Sequence, residues 1–179
     1  MRAHARGGVK GHTATARQNR EFKRAALRPN GVYALELAGE ADAFAATEAG
    51  TAAATVEVVA PGVGVARGLD ERRVRRLAYT RAASRLLGRT DASVASGREL
   101  LETAVDGTGG GAATGQTVAV YARDVRSSAG VSTERAERAL GGVLVDAGYA
   151  VDLDVPDREL RALFAGDRCL LGWLTVESV

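Results

Sequence analysis

The chain has 179 residues, enough for one ordinary domain or two small ones sharing a core, and 46% of them are hydrophobic. No apolar run nears the roughly 18 residues that a membrane-spanning helix requires, and no apolar stretch follows the basic N-terminus as a secretory signal demands. A single cysteine, Cys169, rules out an internal disulfide; in the run Cys169-Leu-Leu it reads as a small buried hydrophobe rather than a reactive thiol. These features suit a soluble, cytoplasmic protein.

Charge is unevenly placed. Residues 1–31 hold eight basic residues against one acid, net +7, whereas residues 32–179 hold sixteen arginines, no lysine and 21 acids, net −5. An all-arginine basic set beside an acid excess suits a high-GC genome, and a salt-adapted proteome stays open. Residues 1–31 lack helical or strand periodicity and end in the turn signal Pro29-Asn-Gly. They read as a basic arm for RNA phosphates, or as the product of an upstream start, with Val32 standing where translation would begin.

From Val32 the pattern is regular. Val32–Leu37 is expected as a strand, Ala41–Ala54 as a helix, Thr55–Ala60 as a strand and Gly62–Gly68 as a looser strand or loop. Asp70 caps a helix expected to run to Leu87 and stop at Gly88. Residues 32–90 are thus α/β in order, the size of half a small ferredoxin-like unit. Asp91–Val105 reads as a helix and Asp106–Gln116 as a glycine-rich linker. Thr117–Arg123 alternates as a half-buried strand, with Val118, Val120 and Ala122 on one face and Ala119, Tyr121 and Arg123 on the other. Ser132 caps a helix from Thr133 to Ala147, closed by Gly148. Tyr149–Val155 reads as a strand, and Leu160–Phe164 pairs with Arg168–Val176 across Ala165-Gly-Asp as a hairpin. The whole predicts an α/β (α+β) layer with helices on one sheet face.

Catalytic motifs fail. Gly107-Thr-Gly-Gly-Gly-Ala112 spells a dinucleotide fingerprint but has a helix before it and a strand after it, the reverse of what phosphate binding needs, so it reads as linker. Gly62-Val-Gly64 reads as a turn. Both histidines, His4 and His12, lie in the basic arm, leaving the body without a histidine-activated nucleophile or a zinc set. Asp152 and Asp154 share one strand face and read as solvated. Two groups of basic residues point to phosphate binding. Arg72, Arg73, Arg75, Arg76, Arg81, Arg85 and Arg89 follow one expected helix; the alternative is a solvated helix balanced by nearby acids. Arg123, Arg126, Ser127, Ser128, Ser132 and Arg135 span a strand end, a loop and a helix start, where amides, hydroxyls and guanidinium groups all donate to phosphate, and Tyr121 offers a ring for a base.

The run Thr117-Val-Ala-Val-Tyr-Ala-Arg123-Asp-Val-Arg126-Ser-Ser, then Ser132-Thr-Glu-Arg-Ala-Glu-Arg-Ala-Leu-Gly141, then Val151-Asp-Leu-Asp-Val-Pro-Asp157-Arg-Glu-Leu160 resembles a THUMP domain, and the closing hairpin fits it. The opening Val32-Tyr-Ala-Leu-Glu-Leu-Ala-Gly-Glu40 resembles archaeal tRNA guanine-N2-methyltransferases, where a ferredoxin-like subdomain precedes the THUMP domain. The resemblance covers residues 32–179 and implies a basic tail over 1–31, a ferredoxin-like subdomain over 32–90 and a THUMP domain over 91–179. It implies a module that binds the tRNA acceptor end and presents a distant guanosine to a catalytic domain. Arg123, Arg126 and Arg135 would grip phosphates, with Ser127 and Ser132 as lesser donors and Tyr121 as a stacking ring. That catalytic domain would bind S-adenosylmethionine through a loop containing Pro-Pro-Tyr. Prolines stand only at 29, 61 and 156, so this chain holds no such loop, no catalytic residue and no cofactor site of its own. The expectation is a truncated product, an isolated domain or one half of a split enzyme working with a separate methyltransferase chain, with tRNA as partner and neither membrane nor DNA. A ferredoxin-like regulatory or protein-interaction domain is the alternative, and the acidic body favours it.

Overall fold

A computed structural model of the chain describes residues 31–107 and 115–178. The basic tail up to Asn30 and the centre of the glycine-rich linker, with its fingerprint spelling, lie outside the described residues. The elements are β1 (Val32–Leu37), α1 (Asp42–Ala49), β2 (Thr55–Ala60), β3 (Val63–Arg67), α2 (Glu71–Val74), β4 (Thr80–Asp91), α3 (Val94–Gly107), β5 (Thr117–Asp124), a 3₁₀ turn (Val125–Ser127), α4 (Thr133–Asp146), β6 (Ala150–Val151), β7 (Arg158–Ala165) and β8 (Arg168–Glu177). All eight strands form one sheet in the order β2-β3-β1-β4-β8-β7-β5-β6. Only β5 runs parallel to its neighbours, β7 and β6. The first four strands with α1 and α2 make a βαββαβ unit whose strand order is that of a ferredoxin-like fold, and β4 joins it to the remainder by pairing with β8 over Ala82–Asp91.

Registered neighbours share a sheet face, so the row Tyr33, Arg85, Trp173 and Leu160 crosses β1, β4, β8 and β7 on one side. Tyr33 packs in a cluster with Ala45 and Ala49 of α1 and Val74 of α2. Leu160 packs with Leu140 and Leu144 of α4 and Leu101 of α3. All four helices among the described residues therefore lie on that side, as the alternation of β5 predicts. The other face carries a third cluster, in which Ala34, Val63 and Val65 meet Val125, Leu163, Ala165 and Leu170. β3 and β7 are four strands apart, about 19 Å on a flat sheet, so the sheet curls to bring them together. Gly62 makes this closure possible: its φ of +72° turns the chain between β2 and β3, and a Cβ there would lie 2.7 Å from Val125 Cγ1.

The largest correction concerns residues 70–87. Asp70 does cap a helix, accepting from Arg72 N at 3.1 Å, but that helix is one turn long, and Thr80–Asp91 is the longest strand of the sheet. Arginine, alanine and leucine favour helix locally; two ladders with distant strands override them. Arg81, Arg85 and Arg89 thus sit on a strand, not on one helix with Arg72–Arg76. Tyr149–Val155 is likewise shorter than expected. After β6 the Asp152 carboxylate accepts from Asp154 N and Val155 N at 2.9 and 3.1 Å and turns the chain away, so Asp152 is a turn-former and not a strand neighbour of Asp154. α1 ends at Ala49 rather than Ala54, and α3 starts three residues late, capped by Ser93 Oγ accepting from Ser96 N at 3.0 Å.

Cys169 is fully buried, and burial pushes its thiol up to about 12 from 9.0. Native protein is therefore expected to resist iodoacetamide at pH 8 and to react once unfolded in urea; equal rates would show the strand open. The unfolded thiol ionises first, so its contribution to stability holds below pH 9 and falls as pH rises toward 12.

Candidate nucleic-acid interface

The loop between β5 and α4 is built by its own side chains. Asp124 ends β5, and its carboxylate accepts from the amides of Ala129, Gly130 and Val131 at 2.9, 2.9 and 3.2 Å. Ser128 Oγ donates to Val125 O at 2.7 Å and accepts from Gly166 N at 2.9 Å, tying the loop to the β7–β8 turn. Between them Arg126 and Ser127 have φ of 56° and 52°, left-handed conformations that cost a non-glycine residue about 1 kcal/mol each. Ser132 Oγ accepts from Arg135 N at 3.3 Å and caps α4, as expected.

Long-range contacts hold the strained turn. The Arg126 guanidinium donates to Gly39 O at 2.5 Å and to both carboxylate oxygens of Asp42, at 2.6 and 3.2 Å. Asp42 Oδ2 also accepts from Gly62 N at 3.2 Å. Three segments, 39–42, 62 and 126, thus meet in one polar knot between the ferredoxin-like unit and the rest of the sheet.

The six residues read from the sequence fall into two groups. Ser127, Ser132 and Arg135 lie together on the loop and the start of α4, and among the described residues Arg135 has no carboxylate partner and Ser127 no side-chain hydrogen bond. Tyr121 and Arg123 lie on the helix-free face of β5. There Arg123 Nη1 stands 2.5 Å from Glu36 Oε1, a carboxylate only 3% exposed, with Arg81 at 4.0 Å. A carboxylate so buried requires such a partner. Tyr121 is 37% exposed, and the Arg161 guanidinium lies 5.4 Å from its ring centre while also pairing with Glu159 and Glu177. Arg123 and Arg126 are therefore neutralised within the fold, and Arg135 is the unpaired guanidinium of the expected set. Glu36, Asp42, Asp124 and Arg161 were not singled out from the sequence; the acid excess of the body was the available signal that some arginines would be paired.

Among the described residues no group of three histidine, cysteine, aspartate or glutamate side chains is placed to hold a metal, and no helix is long and apolar enough to cross a membrane.

No family model and no curated protein matches the chain. Solved structures do. PH1313 from Pyrococcus horikoshii is similar over 83% of this chain and 55% of its own, with 11% identity and a TM-score of 0.56. A 4-thiouridine synthetase solved with RNA and bound ATP is similar over 83% and 42%, with 15% identity and a TM-score of 0.52. TrmN from Thermus thermophilus is similar over 82% and 46%, with 21% identity and a TM-score of 0.53. The chain spans about half the length of these proteins, and at such identities the likeness is one of fold. The class so defined is the mixed α+β class expected from the sequence, a ferredoxin-like unit followed by a THUMP-like one.

Proposed function

We propose that the chain is a tRNA-binding module that recognises the acceptor end of tRNA and positions the molecule for N2-methylation of a guanosine. Methylation itself belongs to a catalytic domain that lies outside these 179 residues, binds S-adenosylmethionine and sits on a separate chain or a further segment. Residues 32–90 serve as the ferredoxin-like subdomain and residues 91–179 as the THUMP domain, in an archaeal, cytoplasmic setting. The observation that carries this reading is the fold shared over 83% of the chain with a 4-thiouridine synthetase solved with RNA. The geometry supports Arg135, Ser127 and the capped start of α4 as the end-binding group, because these donors are exposed and uncommitted. Tyr121 adds a ring on the neighbouring face. Arg123 and Arg126 act through the carboxylates they neutralise, holding β5 and its loop in place.

The test is binding of the full chain to whole tRNA and to the same tRNA lacking its 3′ CCA, at low and high salt. A preference for the intact end that survives salt is expected, since directed hydrogen bonds are screened less than diffuse charge. Arg135→Ala should lower affinity for intact tRNA about fivefold to tenfold, or about 1–1.4 kcal/mol, a hydrogen bond to a charged group reduced by its solvent exposure, with the thermal midpoint unchanged. Equal affinity of Arg135→Ala and the native chain would remove that residue from the interface. The engagement of Arg123 and Arg126 with carboxylates favours the second reading, a ferredoxin-like regulatory or protein-interaction domain. Absence of tRNA binding at any salt concentration would remove the first reading and leave that alternative.

A further inference from the structure

Among the described residues some arginines of this chain are paired with carboxylates and others are left alone, and four of the unpaired ones follow one stretch of the sheet. Arg123, Arg126 and Arg161 have acidic partners. Arg72, Arg75, Arg85 and Arg158 have none among the described residues. Arg72 and Arg75 line one end of a groove on the helix side of the sheet, and the strand register and the Trp173 ring set Arg85 and Arg158 further along that side. The floor is the registered row Tyr33, Arg85 and Trp173 across β1, β4 and β8. One wall is α2, where Glu71, Arg72 and Arg75 enclose with Thr175 and Val176 a depression of about 310 Å³. At the other end Arg158 lies over the Trp173 ring, 3.9 Å from its centre.

Two polar groups of the groove are already committed. Glu71 accepts from the Tyr33 hydroxyl at 2.8 Å, and Thr175 Oγ1 donates to Ala83 O at 2.9 Å. The aromatic rings are committed too: Arg158 covers Trp173, and Arg85 lies 6.0 Å from the Tyr33 centre. Trp173 is covered by a guanidinium and Tyr33 is only 6% exposed, so neither ring offers a face to a base. What the groove presents is four forked donors against one carboxylate, Glu71, which is tied to the Tyr33 hydroxyl, so positive charge is left over there in a body whose net charge is −5. A phosphodiester backbone supplies that complement.

We infer that the groove of Arg72, Arg75, Arg85 and Arg158 is a second RNA surface, which grips backbone phosphates without reading sequence. It rests on the RNA-binding reading above and adds a site apart from the β5–α4 loop.

Arg72 and Arg75 are exposed on a single turn, so the double variant Arg72→Ala/Arg75→Ala spares the core. Its affinity for a tRNA and for an unrelated RNA stem is expected to fall about tenfold for both. The slope of log affinity against log salt should shrink by about two, one for each phosphate the variant no longer grips. Preference for the intact 3′ end should persist. Arg85→Gln/Arg158→Gln, read beside its thermal midpoint, should do the same from the floor. If the native chain binds no RNA, the parent reading fails and this one with it. If the native chain binds RNA and both double variants keep its affinity and salt slope, this inference alone is overturned, and the groove is left to an acidic protein surface. A loss confined to one RNA sequence would overturn the phosphate assignment.

Discussion

Phe164→Ala is expected to lower stability by about 3–5 kcal/mol, the range for a buried phenylalanine that leaves a cavity. Phe164 is fully buried near the end of β7. Its ladder partners are Asp124 of β5 and Cys169 of β8, so its ring stands between the parallel and antiparallel parts of the sheet. Above it lies α3, where a Cβ on Gly97 would be 3.8 Å from the ring and 3.4 Å from Cys169 Sγ. Gly97 allows the helix to sit that close, and with α3 fixed the space left by the ring does not refill. Urea unfolding with an unchanged m-value measures the loss. A more exposed ring of the same type is the control: Phe44 is 59% exposed and meets the ring of Tyr79 edge-on at 5.0 Å, so Phe44→Ala should cost about 0.5–1.5 kcal/mol. A loss below about 1.5 kcal/mol at Phe164 would mean that α3 collapses onto the sheet and that the layer packing described above is wrong.

What the sequence disclosed follows the range of the forces involved. β1, β2, β5 and the β7–β8 hairpin were legible because their alternation and turns are local, and α4 because Ser132 and Gly148 mark its ends. β4 was not. Its residues favour helix, and bulges at Ala83/Ser84 and Leu86/Gly88 break the period of two that would have marked a strand. Only β1 and β8, remote in sequence, make it one. The same range limit governs the site. Ser132 as a cap was legible three residues from its partner, but the partners of Arg123 and Arg126 were not: Asp42 lies 84 residues from Arg126. A guanidinium bound to phosphate and one bound to a distant aspartate look alike in a sequence. The four arginines of the groove were all present in the sequence, yet the pairing of β4 with β8 was needed to set Arg85 beside Trp173.

Asp42→Ala is expected to cost about 1–2 kcal/mol. Hydrogen bonds to charged groups contribute about 1.5–3 kcal/mol, reduced here because both side chains are about a quarter exposed and partly screened. The substitution orphans Arg126 and removes the acceptor of Gly62 N, so the β2–β3 turn and the strained loop lose their common anchor. Arg126→Ala should cost a similar amount, and the double variant little more than either, giving a coupling of about 1 kcal/mol in a double-mutant cycle. The left-handed backbone at Arg126 supplies an internal check. Alanine inherits the strain at φ 56° without the hydrogen bonds that hold it, whereas glycine does not, so Arg126→Gly should be more stable than Arg126→Ala by about 1 kcal/mol. RNA affinity then separates the two roles open to this arginine. If Arg126 acts through the knot with Asp42 and Gly39, Asp42→Ala and Arg126→Ala weaken tRNA binding alike, because each loosens the same loop. If instead Arg126 leaves Asp42 to grip a phosphate, removing the competing carboxylate frees the guanidinium, and Asp42→Ala binds tRNA more tightly while Arg126→Ala binds it less.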